Sequence, residues 1–182
     1  MTPIIKVVSV VRKRGKTTLL ECMVRELKMR GFRVAVVKHA HAGIGVLGDS
    51  GRFLKSGADV TVAVSGRMIM KCEVMREELK LEDALGALPD DIDIVLVEGF
   101  KDNPIGAPVL IINDADELNE YLNRYGVPAC VVCPSSARGS VKEILASEGL
   151  HEVPVIVKDD LSECEDVLTL FVPQEAFNPS AT

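Results

Sequence analysis

The chain has 182 residues, which suits one α/β domain with a sizeable core, and 47% hydrophobic with 26% charged residues exclude a disordered polypeptide. A net charge of −6 argues against a general nucleic-acid binder, and no Trp, two Tyr and five Phe leave little to stack on single strands. No apolar run has membrane length, and Met1-Thr2-Pro3 leads straight into a predicted strand, so the expectation is a cytoplasmic protein that contacts no membrane.

The β-branched run from Ile4 stops at a basic loop, Arg12-Lys13-Arg14, followed by Gly15-Lys16-Thr17-Thr18 and then by helix formers. Strand, loop and helix in that order are the arrangement of a phosphate-binding P-loop. Backbone N–H groups of the loop and first helical turn point at an anion, and the helix dipole adds positive charge there. Lys16 would reach the β- and γ-phosphates, and the Thr17 hydroxyl would hold Mg²⁺. The full pattern has a glycine five residues before Gly15, where this chain has Val10.

Leu19, Leu20, Met23, Val24 and Leu27 recur at helical spacing over Thr17 to Arg30, and Gly31 stops the helix. A second strand, Arg33 to Val37, ends in Lys38-His39-Ala40-His41, and a glycine-rich loop follows to Gly48. Asp49 or Ser50 caps a short helix that closes at Gly57. Val60 to Val64 and Met68 to Cys72, joined by Ser65-Gly66-Arg67, form an antiparallel hairpin. Glu73 to Leu88 reads as a charged surface helix ended by Pro89.

Ile92 to Val97 is a buried parallel strand by composition, and it runs into Glu98-Gly99-Phe100-Lys101. Beyond it come a strand at Val109 to Ile112, a helix at Asp114 to Tyr125, a strand at Val127 to Cys133 and a helix at Ser140 to Ser147. A strand at Val153 to Val157 and a helix at Leu161 to Phe171 complete the alternation. The pattern predicts a single-domain α/β P-loop fold over residues 1–173, with a mostly parallel, doubly wound sheet, an added antiparallel hairpin and a tail at 174–182. Among five cysteines, Cys130 and Cys133 are spaced as C-x-x-C inside an apolar run, where strand alternation sends them to opposite faces. Buried reduced thiols fit that spacing better than a metal or redox pair.

In such a sheet the carboxyl ends of parallel strands share one edge, so three loops converge on the phosphates: the P-loop, Lys38 to Ser50, and Glu98 to Lys101. Glu98, after four aliphatic residues, sits where a Walker B carboxylate holds Mg²⁺ through water or orients the attacking water. His39 and His41 fall on one face and are open to phosphate contact, metal ligation or plain solvation.

These segments resemble the molybdopterin-guanine dinucleotide biosynthesis adaptor (MobB) family. The matching pieces are Arg14 to Leu20, Val37 to His41, Asp49-Ser50 with Arg52 and Ser56-Gly57-Ala58, and Asp93 to Lys101, spread over roughly residues 4–113. The resemblance implies a GTP-binding protein, often a homodimer with weak GTPase activity, that assists the nucleotidyltransferase attaching GMP to molybdopterin. Carried over, Arg14, Gly15, Lys16, Thr17 and Thr18 bind triphosphate. Lys38, His39, His41 and Asp49 form the second loop of the site, and Glu98, Gly99 and Lys101 the third. Mg²⁺ falls to Thr17 and Glu98, with Lys16 and Glu98 as the groups for any hydrolysis. No arginine finger and no glutamine after Glu98 can be placed, so turnover is expected to be slow. A small-molecule kinase or ligase, or a metallochaperone-type GTPase, is the alternative. GTP over ATP rests on the resemblance, since the Asn-Lys-x-Asp guanine motif is absent.

Overall fold

The computed structural model describes residues 2–40 and 48–173, so His41, the glycine-rich loop to Leu47 and the 174–182 tail lie outside the described residues. The chain separates into two compact units, one of residues 1–39 and 87–182, the other of residues 40–86.

In the larger unit, strands β1 (Ile4–Val8), β2 (Val34–Lys38), β5 (Ile94–Glu98), β6 (Ala107–Ile111), β7 (Cys130–Cys133) and β8 (Val155–Val157) form one sheet in the order β2-β5-β1-β6-β7-β8. All its pairings are parallel, with Val7 opposite Glu98 on one side and Val109 on the other. α1 (Lys16–Met29), α4 (Ala115–Tyr125) and α5 (Arg138–Ser147) lie on the connections between strands, and the short α6 (Glu165–Leu168) follows β8. β1 is central, and strand order reverses beside it, which places a crevice at the carboxyl end of β1.

Period-two alternation sorts the strand residues into two cores. Ile5, Val7, Val109, Ile111, Cys130 and Val132 pack with Leu19, Met23 and Leu27 of α1 and Val167 and Leu168 of α6. Val8, Leu110, Ile112, Val131 and Cys133 pack with Leu118 and Tyr121 of α4 and Val141 and Leu145 of α5. Each such side chain contributes about 1.5–3 kcal/mol by leaving water. Cys130 and Cys133 therefore enter different cores as free, buried thiols, and burial pushes the Cys130 thiol up to about 12.

A disulfide joins Cys22 on α1 to Cys164, the residue before α6, with a Cα–Cα separation of 6.0 Å. α6 is shorter than the Leu161 to Phe171 helix its apolar spacing predicts. Asp160 Oδ1 accepts from the Ser162 N–H at 2.8 Å, a local turn that competes with helix over its first residues.

The smaller unit holds α2 (Gly48–Lys55), the hairpin β3 (Val60–Ser65) and β4 (Met68–Glu73), and α3 (Leu81–Gly86). The hairpin pairs in register from Val60 opposite Glu73 to Ser65 opposite Met68, as its short turn predicts. The predicted helix at Glu73 to Leu88 shrinks to α3. β4 continues through Glu73, and Asp83 Oδ2 accepts from the Lys80 N–H at 2.8 Å, fixing the helix start there. Residues 74–80 leave Val74, Met75 and Leu79 exposed, with no apolar stripe for a helix to bury.

Candidate functional site

The crevice at the end of β1 is built from its own continuation. Gly15 has φ +77°, a left-handed conformation that side chains resist, and it caps α1. A Cβ there would lie 2.4 Å from Leu161 Cδ1, so a larger residue would have to displace that side chain as well as strain the backbone. α1 begins at Lys16 with no side chain capping it, and uncapped N–H groups at a helix start attract anions.

Lys16 Nζ donates to Ser9 Oγ at 2.8 Å, and Ser9 Oγ donates to the Val11 carbonyl at 2.7 Å. Ser9, the last residue before the loop, carries no motif that marks it in the sequence; it holds the lysine over the crevice. Desolvation by burial lowers the Lys16 pKa; Glu98 opposes the shift, while Lys101 and Lys38 add to it. Three cations surrounding one carboxylate make the crevice electropositive, which favours a polyanion.

Glu98, at the end of β5, joins the loops. Its Oε2 accepts from Thr17 Oγ1 at 3.1 Å and pairs with Lys38 Nζ at 3.1 Å. Its carbonyl accepts from the His39 N–H at 2.9 Å, tying the second loop to the third. His39 stacks on Phe100 with ring centroids 4.4 Å apart, and Gly99, at φ +90°, leaves only 3.1 Å between its would-be Cβ and His39 Cβ. Phe100 itself has φ 51°, a sparsely populated conformation for an aromatic residue. Lys101 Nζ lies 4.8 Å from the Tyr125 ring centroid.

Lys16, Thr17, Lys38, His39, Glu98 and Gly99 thus meet, as their strand-end positions predict. Asp49 belongs to the smaller unit, where it pairs with Arg52 at 3.3 Å. Arg14 turns toward α4: its Nη2 and Nε reach the two oxygens of Glu117 at 2.7 and 3.1 Å, a two-point ion pair with a nearly buried carboxylate. Glu117 also accepts from the Asn113 N–H at 3.2 Å, while Asp114 caps α4 by accepting from the Glu117 N–H. Arg12 and Lys13 are exposed. Among the described residues no three His, Cys, Asp or Glu side chains cluster as a metal site of their own.

Comparison with known proteins agrees with this geometry. The family model described as molybdopterin guanine dinucleotide synthesis protein B matches residues 4–126. The chain is 31% identical over 149 residues to the molybdopterin-guanine dinucleotide biosynthesis adapter protein of Escherichia coli (strain K12), covering 78% of this chain and 85% of that one. The adapter protein of Haemophilus influenzae is 33% identical over 122 residues, covering 59% of this chain and 65% of its own. A crystal structure of molybdopterin-guanine biosynthesis protein B superposes with a TM-score of 0.65 at 25% identity, covering 92% of this chain and 99% of that one. Bacillus subtilis MobB superposes at 0.67 with 23% identity, covering 94% and 99%, which shows the fold. With a central P-loop strand, converging second and third loops and a family match over more than half its length, the chain belongs to the molybdopterin guanine dinucleotide synthesis protein B (MobB) family.

Proposed function

We propose that the protein is a GTP-binding adapter in molybdenum (or tungsten) cofactor biosynthesis, assisting conversion of molybdopterin to its guanine dinucleotide form. The observation that carries this reading is the junction of Lys16, Thr17 and Glu98 at an uncapped helix N-terminus, in a chain of this family. Lys16, already desolvated and ringed by Lys38 and Lys101, would neutralise the β- and γ-phosphates. The Thr17 hydroxyl and the Glu98 carboxylate, 3.1 Å apart, are a hard oxygen pair that fits Mg²⁺, which when bound would neutralise charge between the phosphates. Thr18, exposed in the first helical turn, would offer its N–H and hydroxyl to the nucleotide, and His39 on Phe100 a polar contact.

Hydrolysis is slow in this reading, because Arg14 is committed to Glu117 and no other arginine is assigned to the transferring phosphate. The kinase or ligase alternative gains no support from the fold or the family. We also place residues 1–173 in one working nucleotide-binding domain with 174–182 as a tail. The hairpin is the surface for a homodimer: Val62, Val64 and Ile69 stand exposed on a two-stranded sheet, which is marginal alone. Cytoplasmic residence is part of the proposal, with the Cys22–Cys164 bond as its unusual feature, since disulfides persist inside cells chiefly in hyperthermophiles.

Calorimetry with GTP and Mg²⁺ tests the site. Lys16→Ala removes a charge-assisted contact and weakens binding by at least about tenfold; unchanged affinity would sink the assignment. A reconstituted guanylylation assay with the partner nucleotidyltransferase tests the role, and stimulation is the expected result.

A further inference from the structure

Lys6 stands in the middle of β1, the central strand, with Val97 on one side and Pro108 on the other. It is only 2% exposed, in a strand whose other residues, Ile4, Ile5, Val7 and Val8, are all aliphatic. Desolvation by burial lowers its pKa, and Asp102 opposes the shift. A charge in such a place is costly unless it is paired or hydrogen-bonded.

What Lys6 holds is the loop after Glu98. Its Nζ donates to the Asn103 carbonyl. The Asn103 N–H donates to the Phe100 carbonyl at 3.0 Å, and Asn103 Oδ1 accepts from the Ile105 N–H at 2.9 Å, so residues 100–105 close on themselves around Asn103. The loop begins in sparsely populated backbone, with Gly99 at φ +90° followed by Phe100 at φ 51°. An aromatic residue stays in that region only where its surroundings over-determine it. β1 supplies the fixed points: it is paired on both sides, its Val7 carbonyl accepts from the Gly99 N–H at 3.1 Å, and its Lys6 ammonium takes the far end of the turn.

The same loop serves the phosphate site. The Phe100 ring stacks on His39, with 15° between the two planes. Lys101 is near enough to Lys16 to act on its charge. Resting on the nucleotide-binding reading above, we propose that Lys6 is a positioning residue for that site: through the Asn103 carbonyl it fixes the Gly99 to Asn103 loop, so that Phe100 backs His39 and Lys101 stays beside the triphosphate. Lys6 itself touches no phosphate in this arrangement. It converts the rigidity of the central strand into a fixed loop on its edge.

Lys6→Met keeps the length of the side chain and drops the donor. It strands no buried charge, since Asp102 is exposed, and replacing a buried ion by an apolar group of similar volume is often neutral, so the variant should fold with little change in Tm. The stack is read by NMR in the free protein: an aromatic ring current shifts the protons of an imidazole stacked on it upfield, and His39→Gln assigns them among the three histidines. In Lys6→Met that upfield shift should collapse, and GTP and inorganic tripolyphosphate, each with Mg²⁺, should bind about tenfold more weakly. Adding Lys6→Met to Phe100→Leu should weaken binding far less than the two single effects combined, because both act through one loop. An intact His39 shift, unchanged affinity, full additivity or a variant that no longer folds would each make Lys6 a plain structural pin and overturn the proposal, and the phosphate site stands as long as the parent binds tripolyphosphate. If the parent binds neither ligand, both fall.

Discussion

Arg14→Ala is the most informative single change at the phosphate loop. The Glu117 side chain is only 5% exposed and Arg14 22%, with contacts of 2.7 and 3.1 Å. Truncating Arg14 leaves the carboxylate with one remaining described donor, the Asn113 N–H. Breaking a buried pair costs about 3–5 kcal/mol, and the partial exposure of Arg14 puts this one at the low end, about 3 kcal/mol. For a chain of this size each kcal/mol moves Tm by about 2–4 °C, so a drop of about 6–12 °C is expected by calorimetric or circular-dichroism melting. Glu117→Gln keeps the shape and the acceptor for Asn113, so adding it to Arg14→Ala should recover part of the loss by removing the stranded charge. The same variants report on function. If Arg14 faces Glu117 and not phosphate, Arg14→Ala leaves the salt dependence of GTP affinity unchanged, whereas replacing exposed Arg12 and Lys13 flattens it, because such charges are screened over about 8–10 Å. A Tm shift below about 2 °C, or a flattened salt slope on removing Arg14 alone, would refute the tether.

Three further outcomes follow from the site and the core. Thiol alkylation near pH 8 should label Cys72 alone in the native protein, since Cys130 and Cys133 are buried with raised pKa values; three labels should appear after unfolding and five after unfolding with reduction, counted by mass spectrometry. Glu98→Gln still accepts from Thr17 but loses its charge beside Lys38, so Mg²⁺-dependent GTP binding should fall while Tm stays nearly unaltered; lost stability with an intact Mg²⁺ response would make Glu98 structural. Gly15→Ala meets both a positive φ and the Leu161 methyl, and calorimetry should show loss of triphosphate binding out of proportion to its Tm change.

Much of this site is legible in the sequence because strand ends announce themselves. Glu98 follows four aliphatic residues, and Lys16 follows a glycine between a strand and a helix; both positions are local in sequence, and the parallel sheet does the rest. Arg14 cannot be read that way, since its partner lies 103 residues on and the pairing depends on where α4 packs. Ser9 reads as one more strand residue, and its part emerges only when Lys16 folds back onto it. Glu73 to Leu88 reads as a longer helix than it forms because charged, helix-favouring residues carry propensity without a face to bury.

The Cys22–Cys164 bond turns most of this polypeptide into a covalent ring. Its ends are 142 residues apart in sequence, so every strand from β2 to β8, and the whole smaller unit, lies between the linked sulfurs. Cross-linking so long a loop deprives the unfolded chain of entropy worth about 5 kcal/mol on the loop-closure account. A protease cutting anywhere in residues 40–86 would open the ring without releasing a fragment. The nicked protein would keep its full mass until a reductant is added, and its phosphate-loop helix would stay fastened to the segment that lays Leu161 over Gly15.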